Sequence, residues 1–338
     1  MATLPPSVAA VRAAVKQALL TVRPERTVLV ACSGGADSLA LAAAAGFVAP
    51  RASLRAGLVT VDHGLQDGSA ERAKAVATWA LKAGLDPVEA VTVDVAGRPG
   101  GPEAAAREAR YEALVAAAHR LDAAAVLLGH TMDDQAETVL LALARGAGPR
   151  GLAGMPVRRD VEGVALLRPL LGVSREQTRE ACAESGLDPW DDPHNADPAY
   201  ARARVRATAL PALVATLGPD VVANLARTAA LVAADNAALD LLAATKLSAV
   251  RDSGGGLRVA ALAALPVAIR TRVLHGWARK LGAPGGALSY RHIEALDALV
   301  TRWRGQGAVH LPGGISVSRR ADHLTADLDS GPAAGGGA

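Results

Sequence analysis

From residue 27 onward, short apolar runs alternate with alanine-rich runs of helical length. Candidate strands occupy residues 27–32, 56–63, 87–95, 123–130 and 164–171. Runs this short and this apolar are typical of strands that are buried on both faces. Candidate helices occupy residues 37–46, 69–84, 102–120 and 132–145. The alternation predicts an α/β fold, with an open parallel sheet of five strands and helices on both faces.

The alternation ends at a loop rich in proline and aspartate, residues 188–200. Just before it, Ser174-Arg175-Glu176-Gln177 matches a capping box and predicts a helix start. We expect an α/β domain over residues 1–215 and a smaller, mostly helical domain over residues 216–330. Within the second domain, residues 308–328 read as a small β-containing piece, and a glycine-rich tail over residues 331–338 should be disordered.

Composition narrows the class of protein. The 338 residues include only two cysteines, Cys32 and Cys182, which form no CxxC pair and favour a reducing compartment. No run of about 20 apolar residues is present, and the first residues lack the layout of a signal peptide, so we expect a cytoplasmic protein without a membrane partner. The net charge of +3 allows an anionic partner without demanding one.

The first motif is the hexapeptide that follows the first candidate strand. It reads Ser33-Gly34-Gly35-Ala36-Asp37-Ser38, with a helix expected from about Asp37. Glycines expose backbone N–H groups, the helix N-terminus adds partial positive charge, and the serine hydroxyls are donors. The pattern is neither GxxxxGK[ST] nor GxGxxG. It predicts a phosphate cradle, with a turn that binds nothing as the alternative.

Two further motifs close later strands. Asp62 and His63 end the second candidate strand, and His130 ends the fourth. The helix that follows carries three acids, Asp133, Asp134 and Glu137, of which Asp133 and Glu137 share a face at spacing i, i+4. Acids in a first turn also complement the helix dipole, and a strand-end histidine can serve only a loop hydrogen bond. The grouping nevertheless predicts ionisable chemistry at the carboxyl ends of the strands.

A run of arginines follows the loop of residues 188–200. Arg202, Arg204 and Arg206 alternate in AYARARVRATALP, which concentrates guanidinium groups suited to phosphate contacts. The alternative is a solvated helix face.

These motifs together resemble a known family. SGGADS resembles the pyrophosphate-binding loop of the PP-loop ATP pyrophosphatases, and VDHGL with GHTMDDQAET resembles the tRNA(Ile)-lysidine synthetases. The similarity extends through PEAAAREARY, RPLL, WDDPHN and the arginine run, over about residues 25–215. The chain departs from the family pattern at four positions, which are Gln66 for arginine, Thr131 for a second histidine, His194 for serine and Ala203 for asparagine.

The resemblance implies a role for each motif. Backbone and side chains of the first two motifs would bind ATP, namely Ser33, Gly34, Gly35, Ala36, Asp37, Ser38, Asp62 and His63. Asp37 would also hold Mg²⁺, which oxygen ligands and phosphates suit. With His130, Asp133 and Asp134 it would form the catalytic set, in which either Asp133 or Asp134 binds the ammonium of free lysine or takes its proton. Substrate contacts would come from Arg107, Arg110, Tyr111, Glu137, Arg202, Arg204 and Arg206.

The implied activity is ATP-dependent ligation of lysine to C2 of the wobble cytidine in an isoleucine tRNA with a CAU anticodon. The base would first be adenylated, with release of pyrophosphate, and AMP would then be displaced. The resemblance leaves a homodimer open. Three alternatives remain. One is a PP-loop tRNA thiolase, which calls for paired cysteines or an iron–sulfur cluster. The others are a small-molecule ligase similar to GMP synthetase and a non-enzymatic nucleotide sensor or RNA-binding module.

Overall fold

The computed structural model describes residues 4–64, 68–95, 102–190, 197 and 199–328. The chain divides into two compact units, Met1–Ala233 and Ala234–Ala338. Three sequence features, Gln66, His194 and the tail over 331–338, lie outside the described residues.

The first unit is built from alternating strands and helices. In chain order its elements are α1 (Pro6–Leu19), β1 (Thr27–Ala31), α2 (Ala36–Val48), β2 (Arg55–Asp62), α3 (Ser69–Lys82), β3 (Val88–Thr92), α4 (Pro102–Arg120), β4 (Ala123–Leu128), α5 (Met132–Ala144), α6 (Gly148–Leu152), β5 (Arg158–Val161), β6 (Val164–Leu167), α7 (Arg175–Glu184), α8 (Ala201–Arg204) and α9 (Leu210–Leu217). A π-helical segment, Val205–Ala209, joins the last two helices. The long helix α10 (Val221–Val250) begins in this unit and continues into the second.

The strands form one sheet in the order β3-β2-β1-β4-β6-β5. All neighbouring pairs are parallel except β5 with β6. Successive β1 residues enter opposite cores, with Val28 and Val30 on the side of α1, α2 and α7, and Leu29 on the side of α4. The predicted α/β fold with a mostly parallel sheet and helices on both faces is therefore confirmed.

The predicted count of five strands is wrong, because the sheet has six. The missed strand is β5, which pairs antiparallel with β6 at the edge of the sheet. Its sequence is Arg-Arg-Asp-Val, and its first three residues are exposed. An edge strand of charged residues shows none of the apolar signal on which strand prediction depends.

The strand order reverses direction between β1 and β4, so a crevice opens at the carboxyl ends of these two strands. At this point the backbones come very close. A Cβ atom on Gly129, at the end of β4, would lie 3.2 Å from the Ser38 nitrogen and 3.3 Å from the Asp37 carbonyl carbon. Glycine at this position therefore lets the first turn of α2 lie against the start of the β4–α5 connection.

The second unit combines helices with a small sheet. Beyond α10 its elements are β7 (Leu257–Arg258), α11 (Val259–Ala263), α12 (Val267–Lys280), α13 (Tyr290–Thr301), β8 (Val309–Leu311), β9 (Ile315–Arg320) and β10 (His323–Leu328). The strands form an antiparallel sheet in the order β7-β10-β9-β8. A mostly helical domain was thus an incomplete prediction, because the sheet takes in a two-residue strand too short to read from the sequence.

Among the described helices, α10 alone has the length and apolar composition of a membrane span. It also makes polar contacts inside the second unit. Arg272 donates to Asp240 at 3.0 Å and to Asn236 at 2.5 Å, both on α10. Such contacts are those of a helix that packs against protein.

Candidate active site

A cleft of about 570 Å³ lies in the first unit at the carboxyl ends of β1, β2 and β4. Its position follows from the reversal of strand order, where open α/β sheets bind ligands. Most residues that the sequence motifs single out line it. These are Ser33, Gly35, Ala36, Asp37, Ser38, Asp62, His63, Arg107, Arg110, Tyr111, His130, Asp134, Arg202 and Arg206.

The hexapeptide after β1 folds back on itself through one serine. Ser38 Oγ accepts the N–H of Ser33 at 3.2 Å and donates to the carbonyl of Gly35 at 2.9 Å. Gly34 is buried with φ +88°, and a Cβ there would meet Val76 Cγ2 at 3.0 Å. Among the described residues no side chain caps α2, which begins at Ala36. The first-turn N–H groups of α2 therefore face the cleft as an anion site.

Asp37 stands in that first turn and is held from α7. The Thr178 hydroxyl donates to Asp37 Oδ1, and Arg175 Nε lies 3.9 Å from Asp37 Oδ2. Burial raises the pKa of Asp37 to about 6, and the negative charge of Asp134 adds to the shift while Thr178 and Arg175 oppose it. A carboxylate in this state gains from a nearby cation.

Thr131, where the family pattern has histidine, is the N-cap of α5. Its side chain is fully buried. The backbone N–H of Thr131 donates to Asp134 Oδ2 at 2.8 Å, and its hydroxyl donates to the same oxygen at 3.0 Å. The substituted residue thus fixes the carboxylate of Asp134, with its other oxygen free to face the arginines described next.

Three arginines converge on Glu137, whose side chain is completely buried. Arg175 Nη2 lies 3.2 Å from Glu137 Oε1, Arg206 Nε lies 2.8 Å from the same oxygen, and Arg202 Nε lies 3.3 Å from Oε2. The Nη2 atoms of Arg175 and Arg206 each also lie 3.1 Å from Asp134 Oδ1. Two carboxylates and three guanidinium groups therefore form one cluster in the cleft wall, with Glu137 behind the other four side chains.

The cluster favours the charged forms of Asp134 and Arg206. Burial alone would raise the pKa of Asp134, but Arg175, the Thr131 N–H, His130 and Arg206 bring it below its usual value. Burial alone would lower the pKa of Arg206, but its hydrogen bond and its Coulomb attraction to Glu137 raise it. Mutual charge stabilisation of this kind makes the geometry of the cluster rigid.

Four residues that the motifs single out lie outside the cleft lining. Gly34 is buried in the loop, and Glu137 lies behind the wall in the cluster. Asp133 Oδ2 accepts the N–H of Arg175 at 2.8 Å, which places it at the N-terminus of α7. Arg204 is exposed and donates to the carbonyl of Ala199 at 2.8 Å. Asp133 therefore orients α7, and Asp134 is the acid of this pair that reaches the cleft.

Two histidines line the cleft. Burial, helped by the positive charges of Arg168, Arg107 and Arg202, lowers the pKa of His130 to about 4, so its ring is neutral at physiological pH. Its Nδ1 is buried and has no hydrogen-bond partner among the described residues. His63 Nε2 accepts from Arg110 Nε at 3.3 Å. The His130 ring is therefore uncharged at neutral pH and is able to accept a hydrogen bond from a ligand.

Several residues of the cleft do not belong to any motif to which the sequence assigns chemistry. Arg175 and Arg179 line the cleft from α7, and Arg72 stacks over the ring of Trp190 at 3.1 Å. The only sequence signal for α7 was its capping box, which marks a helix start and carries no chemistry. The side chain of Arg175 joins acids from α2 and α5, a convergence that no local pattern encodes.

Comparison with known families covers both units. The PP-loop domain family matches residues 8–213, and the TilS substrate binding domain family matches residues 257–325. A curated protein from Salinispora tropica, tRNA(Ile)-lysidine synthase, is 70% identical over 98% of this chain and 99% of its own length. Proteins of the same name from Thermobifida fusca and Streptomyces coelicolor are 56% and 59% identical over 96% and 88% of this chain, and 99% and 84% of their own lengths.

Among solved structures, the chain is similar to the U34-tRNA thiolase NcsA from Methanococcus maripaludis. The TM-score is 0.54 over 66% of this chain and 78% of that chain, with 16% sequence identity. At that identity the likeness concerns the fold alone.

Proposed function

The chain belongs to the tRNA(Ile)-lysidine synthase family, and from that membership we propose that it joins lysine to C2 of the wobble cytidine in an isoleucine tRNA with a CAU anticodon. The cytidine O2 attacks the α-phosphorus of ATP, and the bond from that phosphorus to pyrophosphate breaks. The amine of lysine then attacks C2, and AMP leaves with the O2 oxygen while the amine gives up a proton. One observation carries the proposal: a phosphate cradle and a carboxylate–arginine cluster face the same cleft.

ATP binding rests on the loop from Ser33 to Ser38. Its open helix turn and serine hydroxyls suit the phosphates, and the arginines of the cleft add positive charge. Asp62 and His63, at the end of β2, line the neighbouring wall and would contact the nucleoside part of ATP.

Asp37 is suited to bind Mg²⁺, but it would be the only protein ligand of the ion among the described residues. Its buried carboxylate lies beside the phosphate cradle and has a raised pKa, which a divalent cation would relieve. Among the described residues no three His, Cys, Asp or Glu side chains group as a metal site, so the ion would be held by Asp37 together with phosphate and water oxygens. When bound, Mg²⁺ would neutralise charge on the phosphates.

Lysine recognition is assigned to Asp134, supported by Glu137. Asp134 lines the cleft, whereas Asp133 is occupied at the start of α7. The carboxylate of Asp134 would bind the ammonium group, and the neutral ring of His130 would accept a hydrogen bond from the amine as it attacks.

The tRNA is held by positive charge. Arg107, Arg110, Arg202 and Arg206 line the cleft and would contact the anticodon region, with the target base turned out of its stack. The second unit, which carries the TilS substrate binding domain, would bind another part of the tRNA. We place the enzyme in the cytoplasm, where tRNA and ATP meet.

The thiolase alternative needs reactive cysteines. Cys32 and Cys182 are both buried, and burial raises the pKa of each thiol, that of Cys182 to about 11. A thiol in that state is a poor nucleophile at neutral pH. The structure therefore favours ligation over sulfur transfer.

The test measures ATP–pyrophosphate exchange and incorporation of labelled lysine into the isoleucine tRNA. Exchange should require that tRNA, and mass spectrometry should find lysine on its wobble cytidine. Arg206→Met should lower lysine incorporation, whereas Arg158→Met, which removes an exposed arginine paired with Asp160, should not. Exchange without tRNA, or sulfur on the tRNA without lysine, would overturn the proposal.

A further inference from the structure

Two guanidinium groups meet at one neutral oxygen on the cleft wall. Arg107 Nη2 donates to the Tyr111 hydroxyl at 3.3 Å, and Arg168 Nη2 donates to the same oxygen at 3.2 Å. Arg107 and Tyr111 lie one turn apart on α4, and Arg168 directly follows β6. Two cations placed against a neutral group repel each other, so an anion at this position would stabilise the arrangement.

Arg168 makes the imbalance pronounced, because it is only 3% exposed. Its Nη1 donates to the carbonyl of Pro156 at 2.8 Å, and no ion pair with a carboxylate is found for it among the side chains that the structure describes. A buried charge is normally paired, and an unpaired one is a sign of function. Its field already reaches the cleft, because Arg168 contributes to the lowered pKa of His130.

The hydroxyl of Tyr111 has one hydrogen and two lone pairs. Both arginines donate to the oxygen, so its lone pairs are used and its hydrogen must point to an acceptor. No acceptor for it occurs among the side chains that the structure describes, which leave out residues 102–104, and Tyr111 lines the cleft. The phenol is therefore set up to donate a hydrogen bond to a ligand oxygen.

From this geometry we propose a second anion subsite, formed by the Tyr111 hydroxyl and the Arg107 guanidinium, with Arg168 as a buried positioning residue. It takes a phosphodiester group of the bound tRNA. The identification of that polyanion as tRNA rests on the proposed function, whereas the subsite itself rests on the contacts above.

Location separates this subsite from the ATP phosphates. The phosphate cradle follows β1, and Arg168 follows β6, two strands away in the order β1-β4-β6. Adjacent strands lie about 4.8 Å apart, so the ends of β1 and β6 are separated by roughly 10 Å, and His130 follows β4, the strand between them. A backbone phosphate bound there would hold the target nucleotide in place beside the ATP.

The test compares tRNA binding with ATP binding in the full chain. Tyr111→Phe removes the phenolic donor and keeps the ring packing. We expect a roughly tenfold rise in the Kd for the tRNA and in its KM, with kcat and the Kd for ATP unchanged. Thermal unfolding of the variant checks that the fold is retained.

Arg107→Met provides a second and independent measurement. Because Arg107 is exposed, its removal should leave folding intact, and the slope of log Kd for tRNA against log salt should fall by about one. Arg158→Met, which removes one exposed guanidinium elsewhere, should leave that slope unchanged.

Two results would overturn the subsite. One is unchanged tRNA binding in both variants, and the other is an equal loss of ATP affinity, which would assign the site to the nucleotide. Failure of the proposed function would show differently, as wild-type enzyme that attaches no lysine to the tRNA.

Discussion

The two units of the chain pair arginines with carboxylates in different ways. In the second unit Arg270 donates to Asp297 at 2.6 Å and to the carbonyl of Leu265 at 2.8 Å, one cation with one carboxylate. In the first unit the same kind of side chain is shared, because Arg175, Arg202 and Arg206 converge on Glu137. The second unit shows matched pairs, and the first shows a network.

The difference separates structural from functional charge. The matched pair of Arg270 and Asp297 satisfies both partners and is not part of the cleft lining, so its removal should affect only folding. The network lines the cleft through Asp134, Arg175, Arg202 and Arg206, and it lies beside Asp37, whose pKa is raised. A strongly perturbed pKa that comes from burial and from specific charged neighbours, in a residue that lines a cleft, is typical of functional sites.

The largest effect on activity should come from Asp37→Asn. We expect lysine incorporation to fall by roughly a thousandfold, because the ion and phosphate site loses its charge. The same change should stabilise the ligand-free protein at pH 8 by about 1–2 kcal/mol, because an ionised and desolvated carboxylate is removed. Activity assays and thermal unfolding check the two effects.

The stability difference between wild type and Asp37→Asn should depend on pH. The folded pKa of Asp37 is raised to about 6 from 3.8, so its neutral form is the one that the fold favours. Its favourable contribution is complete below about pH 4 and is lost as pH rises through about 6. The stability gap between variant and wild type should therefore open between pH 4 and 6 and stay constant above. A gap that is the same at every pH would contradict the assignment.

The next test pairs Glu137→Gln with Asp297→Asn. Glu137→Gln removes the carboxylate on which three half-buried arginines converge, and Asp297→Asn leaves the buried Arg270 without its carboxylate. We expect each change to cost roughly 2–4 kcal/mol of stability. Glu137→Gln should also lower kcat/KM for lysine by roughly a hundredfold, because the arginines that orient Asp134 lose their anchor. Asp297→Asn should keep wild-type kcat/KM at temperatures where it is folded. Equal losses of kcat/KM in the two variants would contradict the claim that the network supports activity whereas the Arg270–Asp297 pair supports only folding.

Most of the fold was predictable because its signal is local. The buried strands β1, β2 and β4 are short apolar runs, and Ser174 caps α7 through Gln177 as its sequence pattern predicts. The edge strand β5 and the two-residue strand β7 were missed because one is charged and the other is too short. Pairing with a neighbour, and not composition, makes these residues strands.

The site was predictable only where its residues stand in contiguous motifs at strand ends. The parallel sheet brings Ser33–Ser38 and His130–Asp134 to one edge, as their positions after β1 and β4 predict. Arg175, Thr178 and Arg168 were missed, because each acts through partners far away in sequence. Whether each motif residue has the role that the resemblance implies stays a prediction.

A smaller effect on activity is expected from Gly129→Ala, which changes the geometry of the cleft without changing its charge. The added Cβ would lie 3.2 Å from the Ser38 nitrogen, so the first turn of α2 must shift by a few tenths of an ångström. We expect the KM for ATP to rise roughly tenfold with little change in the KM for lysine. Gly172→Ala, where a Cβ meets nothing within 4 Å, is the matched control. Equal KM values for ATP in the two variants would show that the close approach has no role.

The smallest effect should come from Cys32→Ala combined with Cys182→Ala. Both thiols are buried behind the phosphate loop, where Cys182 Sγ lies 3.3 Å from the Ala36 carbonyl and Cys32 Sγ lies 3.5 Å from Ser38 Oγ. Their removal should cost about 1 kcal/mol of stability from lost packing and change kcat by no more than about twofold. A loss of turnover by orders of magnitude at unchanged thermal stability would instead indicate that the thiols take part in the reaction. That result would support the thiolase alternative.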